Sequence, residues 1–333
     1  MYKFAIIGCG RIAHRHAENI KRTGTLLAVC DTDKTKADAF ASRYRANCYY
    51  DIDELLKAEK EVDIVSICTP NGYHAEHSIK SLQARKHVLC EKPMCLTTAA
   101  AWQMLDTEKF TRKKLFVVKS GRFNPLLKEL KKSIDEHKLG TIYSFQLSCF
   151  WNRPEAYYHD WHGKSFPDGG TLYTQFSHYI DTIYWLFGEM EAVSGFADNK
   201  AHKNVIEFED TGVASVRLQS GVLGTINWSV NTYQKNSELS LTVIAEKGTI
   251  ALGGTYLNEI RYQQLSFPFY SDGDYADANK YPSYQGSMSH HAEMYDHLIP
   301  ALEDKTHSIS NAHDGLKTVE IIEKIYKAVS SRH

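Results

Sequence analysis

A lysine and a histidine occupy positions from which they could remove a proton from an alcohol. Lys92 follows an apolar run within Glu91-Lys92-Pro93, and His178 lies in an apolar segment that Asp168-Gly169-Gly170 introduces. A lysine that is partly desolvated and close to another positive charge can have a lowered pKa, so that it accepts a proton from a hydroxyl group. A histidine can accept a proton near neutral pH without such help. The two residues together predict an acid–base pair that acts on one hydroxyl group.

Each of these residues also has a plainer interpretation. A lysine at the end of a strand is usually a surface residue, and a histidine in a helix can simply pair with a neighbouring acid. Asp181 lies three residues after His178, where it could orient the imidazole, and Gln175 lies three residues before it on the same helix face. Only the joint context of Lys92 and His178 favours the catalytic interpretation.

A glycine-rich turn near the start of the chain predicts a dinucleotide site. In Gly8-Cys9-Gly10-Arg11-Ile12-Ala13, the first glycine permits a tight turn, the second lets the backbone approach a pyrophosphate, and the alanine keeps the following helix close to the sheet. Asp31 lies 21 residues after Gly10, where a carboxylate accepts hydrogen bonds from an adenosine ribose. The 2′-phosphate of NADP would be repelled by this carboxylate, so we predict NAD rather than NADP. Lys34 and Lys36 lie near Asp31 in the sequence and could weaken this preference. The competing interpretation is a glycine turn that binds no nucleotide.

The elements around these residues predict two domains of an α/β protein. Short apolar runs alternate with amphipathic segments up to residue 120, which indicates βαβ units and a buried parallel sheet. Ligands bind at the carboxyl edge of such a sheet, and Lys92 follows its next-to-last strand. Predicted strands are 4–7, 26–30, 64–68, 88–90 and 115–118, and predicted helices are 12–22, 34–44, 74–84 and 97–110.

The second half of the chain has a different pattern. Consecutive β-type segments joined by short glycine turns predict a mostly antiparallel sheet. We place the domains at 1–121 and 122–333, with the last helix able to return to the first domain. Predicted helices are 124–136, 172–187, 290–302 and 312–329; strands are 142–150, 191–196, 211–218, 222–230, 239–245 and 249–252; irregular segments are 151–170 and 267–289.

Composition restricts the class of partner. The net charge of −1 provides no general attraction for nucleic acid or anionic lipid, so an anionic substrate must be met by local residues. The sequence has no apolar run of about 20 residues and begins with a strand-like segment, so we expect neither a membrane span nor a signal peptide. Seven cysteines without a CxxC pair predict reduced thiols in a cytoplasmic protein. The histidines at His14, His16, His74, His77, His290 and His291 lack a convincing third ligand, so no metal is predicted.

Several motifs, taken in order, resemble one family over the whole chain. They are Gly8 to Ala13, Thr69-Pro70-Asn71 with His74, Lys86-His87-Val88, Glu91-Lys92-Pro93, Gly169-Gly170, and His178-Tyr179-Ile180-Asp181 with Trp185 and Gly188. This set is similar to the Gfo/Idh/MocA oxidoreductases. The resemblance implies a Rossmann domain, a second α/β domain with an open, mostly antiparallel sheet, and assembly into homodimers or homotetramers.

The resemblance also implies roles for individual residues. Lys92 and His178 match the catalytic lysine and histidine of the family. Many members place an aspartate four residues before that histidine, but this chain has Thr174 there, so proton transfer must rest on Lys92, His178 or both. The predicted NAD-binding residues are Gly8, Gly10, Arg11, Ile12, Asp31, Thr69, Pro70, Asn71, His74, Glu91 and Lys92.

Further motifs resemble the WlbA-type subgroup of this family. They are Phe150 to Tyr158, Trp161-His162-Gly163, Asp168-Gly169-Gly170, Lys119 with Arg122-Phe123-Asn124, Thr174 to Tyr179, Glu209 to Ala214 and Ala245 to Thr249. Those enzymes oxidise C3 of UDP-N-acetylglucosaminuronic acid (UDP-GlcNAcA) to a 3-keto sugar in surface polysaccharide biosynthesis, and in some of them 2-oxoglutarate reoxidises the NADH. The predicted substrate-binding residues are Lys92, Arg122, Asn124, Arg153, Tyr158, Gln175, Ser177 and His178.

The residues themselves agree with an anionic nucleotide sugar. Arg122 and Arg153 could clamp a carboxylate or diphosphate, and Tyr157, Tyr158 and Trp161 could pack against sugar or uracil faces. These side chains could instead only shape a loop. Two other functions stay open: a dehydrogenase of another sugar or of a cyclic polyol such as inositol, and a sugar-nucleotide-sensing regulator without turnover. Regulators of this fold typically lack the lysine that is present here as Lys92.

Overall fold

The computed structural model describes residues 1–269, 278–280, 285–288, 290–305 and 309–330. These residues form two compact units. Unit 1 comprises Met1–Lys119 and His291–Val319, and unit 2 comprises Ser120–His290 together with the chain from Glu320 onward. The division after Lys119 falls two residues before the predicted boundary. The return to unit 1 begins at His291, earlier than the last helix to which the prediction confined it.

Unit 1 is built on a six-stranded parallel sheet in the order β3-β2-β1-β4-β5-β6. Its central strands are buried on both faces, which explains why they read as continuous apolar runs. The strand order reverses between β1 and β4, where a ligand crevice forms in such sheets. Its first eleven elements are β1 (Lys3–Ile7), α1 (Ala13–Thr23), β2 (Thr25–Cys30), α2 (Lys34–Tyr44), β3 (Asn47–Tyr49), α3 (Ile52–Ala58), β4 (Ile64–Ile67), α4 (His74–Gln83), β5 (His87–Cys90), α5 (Thr98–Thr111) and β6 (Leu115–Val117).

Two elements of unit 1 were not predicted. The strand β3 is only three residues long and is partly exposed, so it carries no apolar run that the sequence could reveal. The helix α3 is a short helix set by its cap: the Asp51 carboxylate accepts the N–H groups of Asp53 and Glu54 at 2.8 and 3.0 Å. The helix α3 buries Ile52, Leu55 and Leu56 at helical spacing, but it is only seven residues long.

Unit 2 is built on a seven-stranded sheet in the order β13-β12-β11-β7-β10-β9-β8. Only β7 and β10 pair in parallel, and the remaining neighbours are antiparallel. The predicted α/β fold, with a parallel sheet followed by a mostly antiparallel one, is confirmed. Its elements are α6 (Pro125–Asp135), β7 (Ile142–Phe150), α7 (Ser177–Phe187), β8 (Met190–Asp198), β9 (Thr211–Leu218), β10 (Leu223–Ser229), β11 (Glu238–Ala245), β12 (Gly248–Gly253), β13 (Glu259–Leu265), β14 (Ala278–Lys280) and β15 (Gln285–Met288).

Three predictions for unit 2 need correction. The helix expected at 172–187 is a π-helical turn, Leu172–Phe176, followed by α7. The strand β13 was missed because it is a polar, exposed edge strand. The expected loop at 267–289 contains the paired strands β14 and β15, while residues 270–277, 281–284 and 289 lie outside the described residues.

Two helices complete the chain: α8 (His291–Leu302) and α9 (Ala312–Ser330). The helix α8 contacts α1 within unit 1, and Arg22 pairs there with Asp296 at 2.5 Å. The boundary between the units runs through α9, after Val319. Among the helices that the structure describes, none is both long and apolar enough to cross a membrane.

Candidate functional site

The glycine turn of unit 1 has the geometry of a phosphate-binding loop. Gly8 has a φ of +93°, and a Cβ there would lie 2.7 Å from the backbone of Cys68 and Thr69, so only glycine fits. At Gly10 a Cβ would meet nothing within 4 Å, which leaves open space where a ligand can approach the backbone. Ile12 precedes α1 and has no polar side-chain atom with which to cap it. The Ala13 N–H donates to the Gly10 carbonyl at 3.2 Å and the Arg15 N–H to the Ile12 carbonyl at 3.0 Å, so the glycine turn leads directly into the positive end of the helix. These residues fit a dinucleotide pyrophosphate.

Asp31 is fixed at the carboxyl end of β2 beside this turn. Its Oδ2 accepts the Cys9 N–H at 2.8 Å, and its Oδ1 accepts the Asp33 N–H at 2.9 Å. Each carboxylate oxygen can accept a further hydrogen bond, so the group can still bind ribose hydroxyls. The turn and the acid predicted 21 residues apart are therefore joined directly through the Cys9 N–H.

His74 connects the two loops that follow β4 and β5. Its Nε2 lies 2.7 Å from the Thr69 carbonyl oxygen, and its Nδ1 lies 2.6 Å from the Pro93 carbonyl oxygen. Burial lowers the pKa of His74, although both carbonyls favour the protonated ring. The ring thus braces the loop of Pro70 and Asn71 against the loop that carries Lys92; a direct contact of His74 with the cofactor stays a prediction.

Glu91 and Pro93 are buried in the Glu91-Lys92-Pro93 motif, whereas Lys92 is partly exposed. One oxygen of Glu91 accepts the Lys92 N–H at 3.0 Å. The other lies 3.0 Å from His16 Nε2 and 2.9 Å from His291 Nε2. Sequence reasoning missed this cluster because His291 lies 200 residues from Glu91 along the chain. The clue was His290-His291 at the start of a helix, which had no assigned role.

In unit 2, His178 is the second residue of α7 and is buried beside a small cavity. The residues that line this cavity are Ser120, Gly121, Asn124, Leu127, His178, Tyr179, Tyr256, Leu257 and His290. Ser177 is also fully buried next to His178.

Asn124 has a structural role at this cavity. Its Oδ1 caps α6 by accepting the N–H groups of Leu126 and Leu127 at 3.0 and 3.2 Å, and its Nδ2 donates to the Leu257 carbonyl at 3.1 Å. These bonds hold α6 against the cavity wall. The predicted substrate contact of Asn124 stays a prediction.

The Arg122 guanidinium pairs with a protein carboxylate, in place of the predicted clamp on a substrate anion. Its Nε and Nη2 donate to the two carboxylate oxygens of Asp181 at 2.8 and 2.9 Å, and its guanidinium lies over the Trp185 ring. A planar guanidinium matches a carboxylate in this two-bond geometry. Asp181, which the sequence suggested for orienting His178, thus receives a bidentate ion pair from the element before α6.

Arg153 is also surrounded by protein groups, with 2% of its surface exposed. Its Nε donates to Gln175 Oε1 at 2.6 Å, and its Nη1 donates to Asn236 Oδ1 at 3.2 Å. Gln175 in turn donates to the Tyr157 hydroxyl at 2.8 Å. The predicted direct clamp on a substrate anion does not fit this burial. Arg153 instead holds Gln175 in the π-helical turn that precedes His178.

Two tyrosines of the aromatic segment pack inward, whereas Trp161 is partly exposed. Tyr157 and Tyr158 meet edge to face with ring centroids 5.0 Å apart, and Tyr158 packs on Ile206. Burial raises the pKa of the Tyr158 hydroxyl, so it remains protonated at neutral pH.

A carboxylate lies next to Thr174, the position at which the family motif has an aspartate. The Thr174 hydroxyl donates to the Asp168 carboxylate, which also accepts the Gly163 N–H at 2.7 Å. Burial raises the pKa of Asp168, and the hydrogen bonds act in the opposite direction. From the sequence, Asp168 was interpreted only as part of the Asp168-Gly169-Gly170 turn.

Both parts of the chain match one family. Residues 2–119 match the model of an oxidoreductase family with an NAD-binding Rossmann fold, and residues 127–251 match the GFO/IDH/MocA C-terminal domain. The WlbA dehydrogenase of Bordetella pertussis, solved with NADH and UDP-GlcNAcA, is 32% identical and superposes with a TM-score of 0.88, covering 98% of this chain and 96% of that one.

Less similar relatives are named as dehydrogenases of glucosides and inositols. The D-glucoside 3-dehydrogenase of Escherichia coli is 28% identical over 68% of this chain and 66% of its own length, just under two thirds. An inositol 2-dehydrogenase/D-chiro-inositol 3-dehydrogenase of Halalkalibacterium halodurans is 27% identical over 75% of this chain and 71% of its own length. With the two domain matches, the chain belongs to the GFO/IDH/MocA family of oxidoreductases, and its unit 1 carries their NAD-binding Rossmann fold.

Proposed function

We propose that this NAD-dependent dehydrogenase oxidises the C3 hydroxyl of UDP-GlcNAcA to a ketone. One observation carries the substrate assignment: the 32% identity to an enzyme solved with that nucleotide sugar extends over 98% of the chain. The glucoside and inositol relatives are less similar, at 28% and 27% identity. A place in surface polysaccharide biosynthesis belongs to the same proposal.

The proposed oxidation removes a hydride from C3 and a proton from the C3 hydroxyl group. NAD, held by the glycine turn and Asp31, would supply the acceptor for the hydride that leaves C3. Lys92 takes the proton of the C3 hydroxyl through its ε-amino group, which must be unprotonated at that moment. His178 is the second catalytic group, and Thr174 with Asp168 supplies the polar contact that a carboxylate at position 174 would otherwise make. The products are the 3-keto sugar, NADH and a proton.

The two arginines act through their partners in this proposal. Arg153 places Gln175, and Arg122 places Asp181, so both support the turn and helix that carry His178. Gln175, Ser177 and His178 are then the polar groups of this segment assigned to the sugar. Tyr158 and Asn124 shape the surroundings.

A substrate panel tests this function. Purified protein with NAD should form NADH with UDP-GlcNAcA, and should prefer it over UDP-N-acetylglucosamine, methyl glucoside and myo-inositol by roughly 10²-fold or more in kcat/KM. If NADH stays bound, one equivalent forms in a burst and steady turnover needs 2-oxoglutarate as oxidant. Oxidation of myo-inositol or methyl glucoside, with no oxidation of UDP-GlcNAcA, would favour the alternative of an inositol or glucoside dehydrogenase. Binding of the nucleotide sugar without NADH formation under any of these conditions would favour a sensing protein.

We also propose that the outer face of the seven-stranded sheet joins two copies of the chain in a homodimer or homotetramer. By strand register one face presents exposed apolar side chains between hydroxyl and amide groups. Its large exposed members are Phe196, Val213, Leu223, Ile244 and Tyr262. Adjacent apolar side chains of this kind mark association surfaces.

Light scattering after gel filtration tests the association. Leu223→Lys combined with Ile244→Lys should dissociate the assembly. Phe110→Lys, which changes an exposed aromatic residue of unit 1, should leave it intact. A double variant with unchanged mass, or a parent that is already monomeric, would contradict the assignment of this face.

A further inference from the structure

Five buried polar side chains of unit 1 form a connected chain that the proposed reaction does not yet use. They come from four elements: Ser66 from β4, His16 from α1, Glu91 from the end of β5, and Tyr295 with His291 from α8. None exposes more than 6% of its surface. A buried polar group is costly unless it is hydrogen-bonded, so the partners of each group carry information.

The protons in this chain can be assigned from donor chemistry. A carboxylate only accepts, so both His16 and His291 donate to Glu91 through Nε2, at 3.0 and 2.9 Å. The other ring nitrogen of a neutral His16 is then an acceptor, and the Tyr295 hydroxyl donates to it at 2.8 Å. Ser66 completes the chain by donating to the Tyr295 oxygen at 3.1 Å. Every bond has an available donor and acceptor.

The remaining oxygen of Glu91 leads to Lys92. It accepts the Lys92 backbone N–H at 3.0 Å, so one carboxylate is bound both to the two histidines and to the residue assigned as proton acceptor. Burial alone would raise the pKa of Glu91, but the hydrogen bonds that His16 and His291 donate to it outweigh burial and hold this pKa well below the ordinary range. Burial lowers the pKa of His16, in keeping with a neutral ring.

The other titratable groups around Glu91 do not compete for this role. Burial raises the pKa values of the Cys68, Cys90 and Tyr295 side chains, which therefore stay protonated, and lowers that of His74. Glu91 is thus a fixed negative charge beside Lys92 over the neutral pH range.

We propose that His16, His291 and Tyr295 are positioning residues that hold Glu91 ionised and aimed at the Lys92 backbone, and so place Lys92 for proton transfer. The inference deepens the proposed function, because it rests on Lys92 as the proton acceptor. It also gives the segment His291–Val319 a role beyond completing unit 1: α8 supplies two of the three groups that hold the motif in place.

The same atoms could in principle bind a divalent cation, since one ligand atom from each of His16, Glu91 and His291 lies within 4.8 Å of the others. The nitrogen–oxygen separations of 2.9 and 3.0 Å are those of ordinary hydrogen bonds, which account for each atom without an ion. Metal content of the purified protein is therefore one readout of the test.

Glu91→Gln tests the carboxylate, with Glu108→Gln as its matched control. Glu108 is another glutamate of unit 1 whose carboxylate accepts one backbone N–H, that of Leu115 at 2.7 Å, and burial raises the pKa of this group. We expect Glu91→Gln to lower kcat by about 10- to 100-fold with KM for NAD changed less than about threefold. His291→Gln should behave similarly, and Tyr295→Phe should lower kcat by roughly 3- to 10-fold. Glu108→Gln should leave kcat within about twofold.

A second readout does not need sugar turnover. Reductive methylation of Lys92, measured over a pH series by peptide mass spectrometry, reports where its amine loses a proton. Removing the negative charge of Glu91 favours the neutral amine, so Glu91→Gln should move the midpoint downward by about half a pH unit or more, and Glu108→Gln should not move it. A parent protein that oxidises another sugar but not UDP-GlcNAcA would contradict the substrate proposal, and the labelling test of Lys92 would still apply.

Three results would overturn the inference. The first is a Glu91→Gln variant with the kcat and labelling midpoint of the parent. The second is equal changes in Glu91→Gln and Glu108→Gln, which would indicate a purely structural effect. The third is one equivalent of a transition metal in the purified protein, with activity lost on chelation and restored by the metal.

Discussion

Arg153 donates from its Nε to Oε1 of Gln175 at 2.6 Å, and this bond joins the aromatic segment to the turn that leads into α7. Both side chains are buried, so the pair is shielded from solvent. A buried, charge-assisted hydrogen bond of this kind is stronger than an exposed one and fixes geometry. In the proposed function, Arg153 would therefore affect substrate binding through Gln175.

Arg153→Lys should raise KM for UDP-GlcNAcA by roughly 10- to 100-fold, because lysine keeps the charge but loses the planar pair of donors. KM for UDP-N-acetylglucosamine should rise by a similar factor, since no direct contact with the carboxylate is lost. Gln175→Ala should have an effect of the same order. The double variant should be no worse than the stronger single one, as a double-mutant cycle would reveal. Additive effects, or a loss confined to the uronic acid, would point to direct contact between Arg153 and the substrate.

Cofactor choice should depend on Asp31, because its carboxylate lies at the predicted ribose position beside the glycine turn. NAD should support turnover far better than NADP in the parent protein. Asp31→Ser should narrow this gap, and Asp31→Asn, which keeps the shape but removes the charge, should narrow it as well. The measurement is kcat/KM for both cofactors at saturating sugar. Equal efficiency with both cofactors in the parent would defeat the prediction.

Removal of Lys92 should abolish chemistry rather than binding. Loss of a general base costs roughly 10²–10⁴ in rate, so Lys92→Ala should lower kcat on that scale while NAD affinity changes only a few-fold. Lys57→Ala, at an exposed lysine of α3, is the control and should be unaffected. His178→Asn should also slow the reaction. Stopped-flow rates and fluorescence titration separate the two effects, and normal turnover by Lys92→Ala would show that another group takes the proton.

Glu209 should make the stability of the protein depend on pH. Desolvation raises its pKa from an ordinary 4.5 to about 8, although hydrogen bonds from Tyr326 and Trp228 act in the opposite direction. Between these values the folded state holds a proton that the unfolded state has lost, so stability falls as pH rises from 4.5 to about 8. Glu209→Gln removes this term. Its melting temperature relative to the parent should therefore climb from pH 5 to pH 8.

The control for this experiment lies two residues away. Glu207 is exposed and its pKa is lowered by hydrogen bonds from Ser165, so it is ionised in both states above pH 5. Glu207→Gln should shift the melting temperature by the same amount at every pH in the series. A Glu209→Gln curve parallel to that of the parent would mean that Glu209 is ionised in the folded protein.

The sequence predicted the features that depend on neighbouring residues. The glycine turn and the order of strands and helices up to residue 120 are local, because strand periodicity and turn chemistry act over a few residues. The cofactor and the family followed from the same local motifs.

The partners of the charged residues could not be predicted. Arg122 and Asp181 lie 59 residues apart. Nothing in either segment predicts that the Asp181 carboxylate will accept the hydrogen bonds of the Arg122 guanidinium. The sequence predicted Arg153 as a clamp for a substrate anion, whereas the buried side chain bonds to Gln175 and to Asn236, 83 residues further on. Tertiary packing decides such pairs, and with them the difference between a residue that binds substrate and one that supports it.

The most direct test of the account uses UDP-GlcNAcA carrying deuterium at C3. The reaction proposed here transfers that deuterium to the nicotinamide, so the NADH formed should be heavier by one mass unit and kcat should show a primary isotope effect if hydride transfer limits the rate. The sugar product should be a ketone at C3. Formation of unlabelled NADH from the deuterated sugar, or no reaction with this nucleotide sugar in the presence of NAD and 2-oxoglutarate, would contradict oxidation at C3.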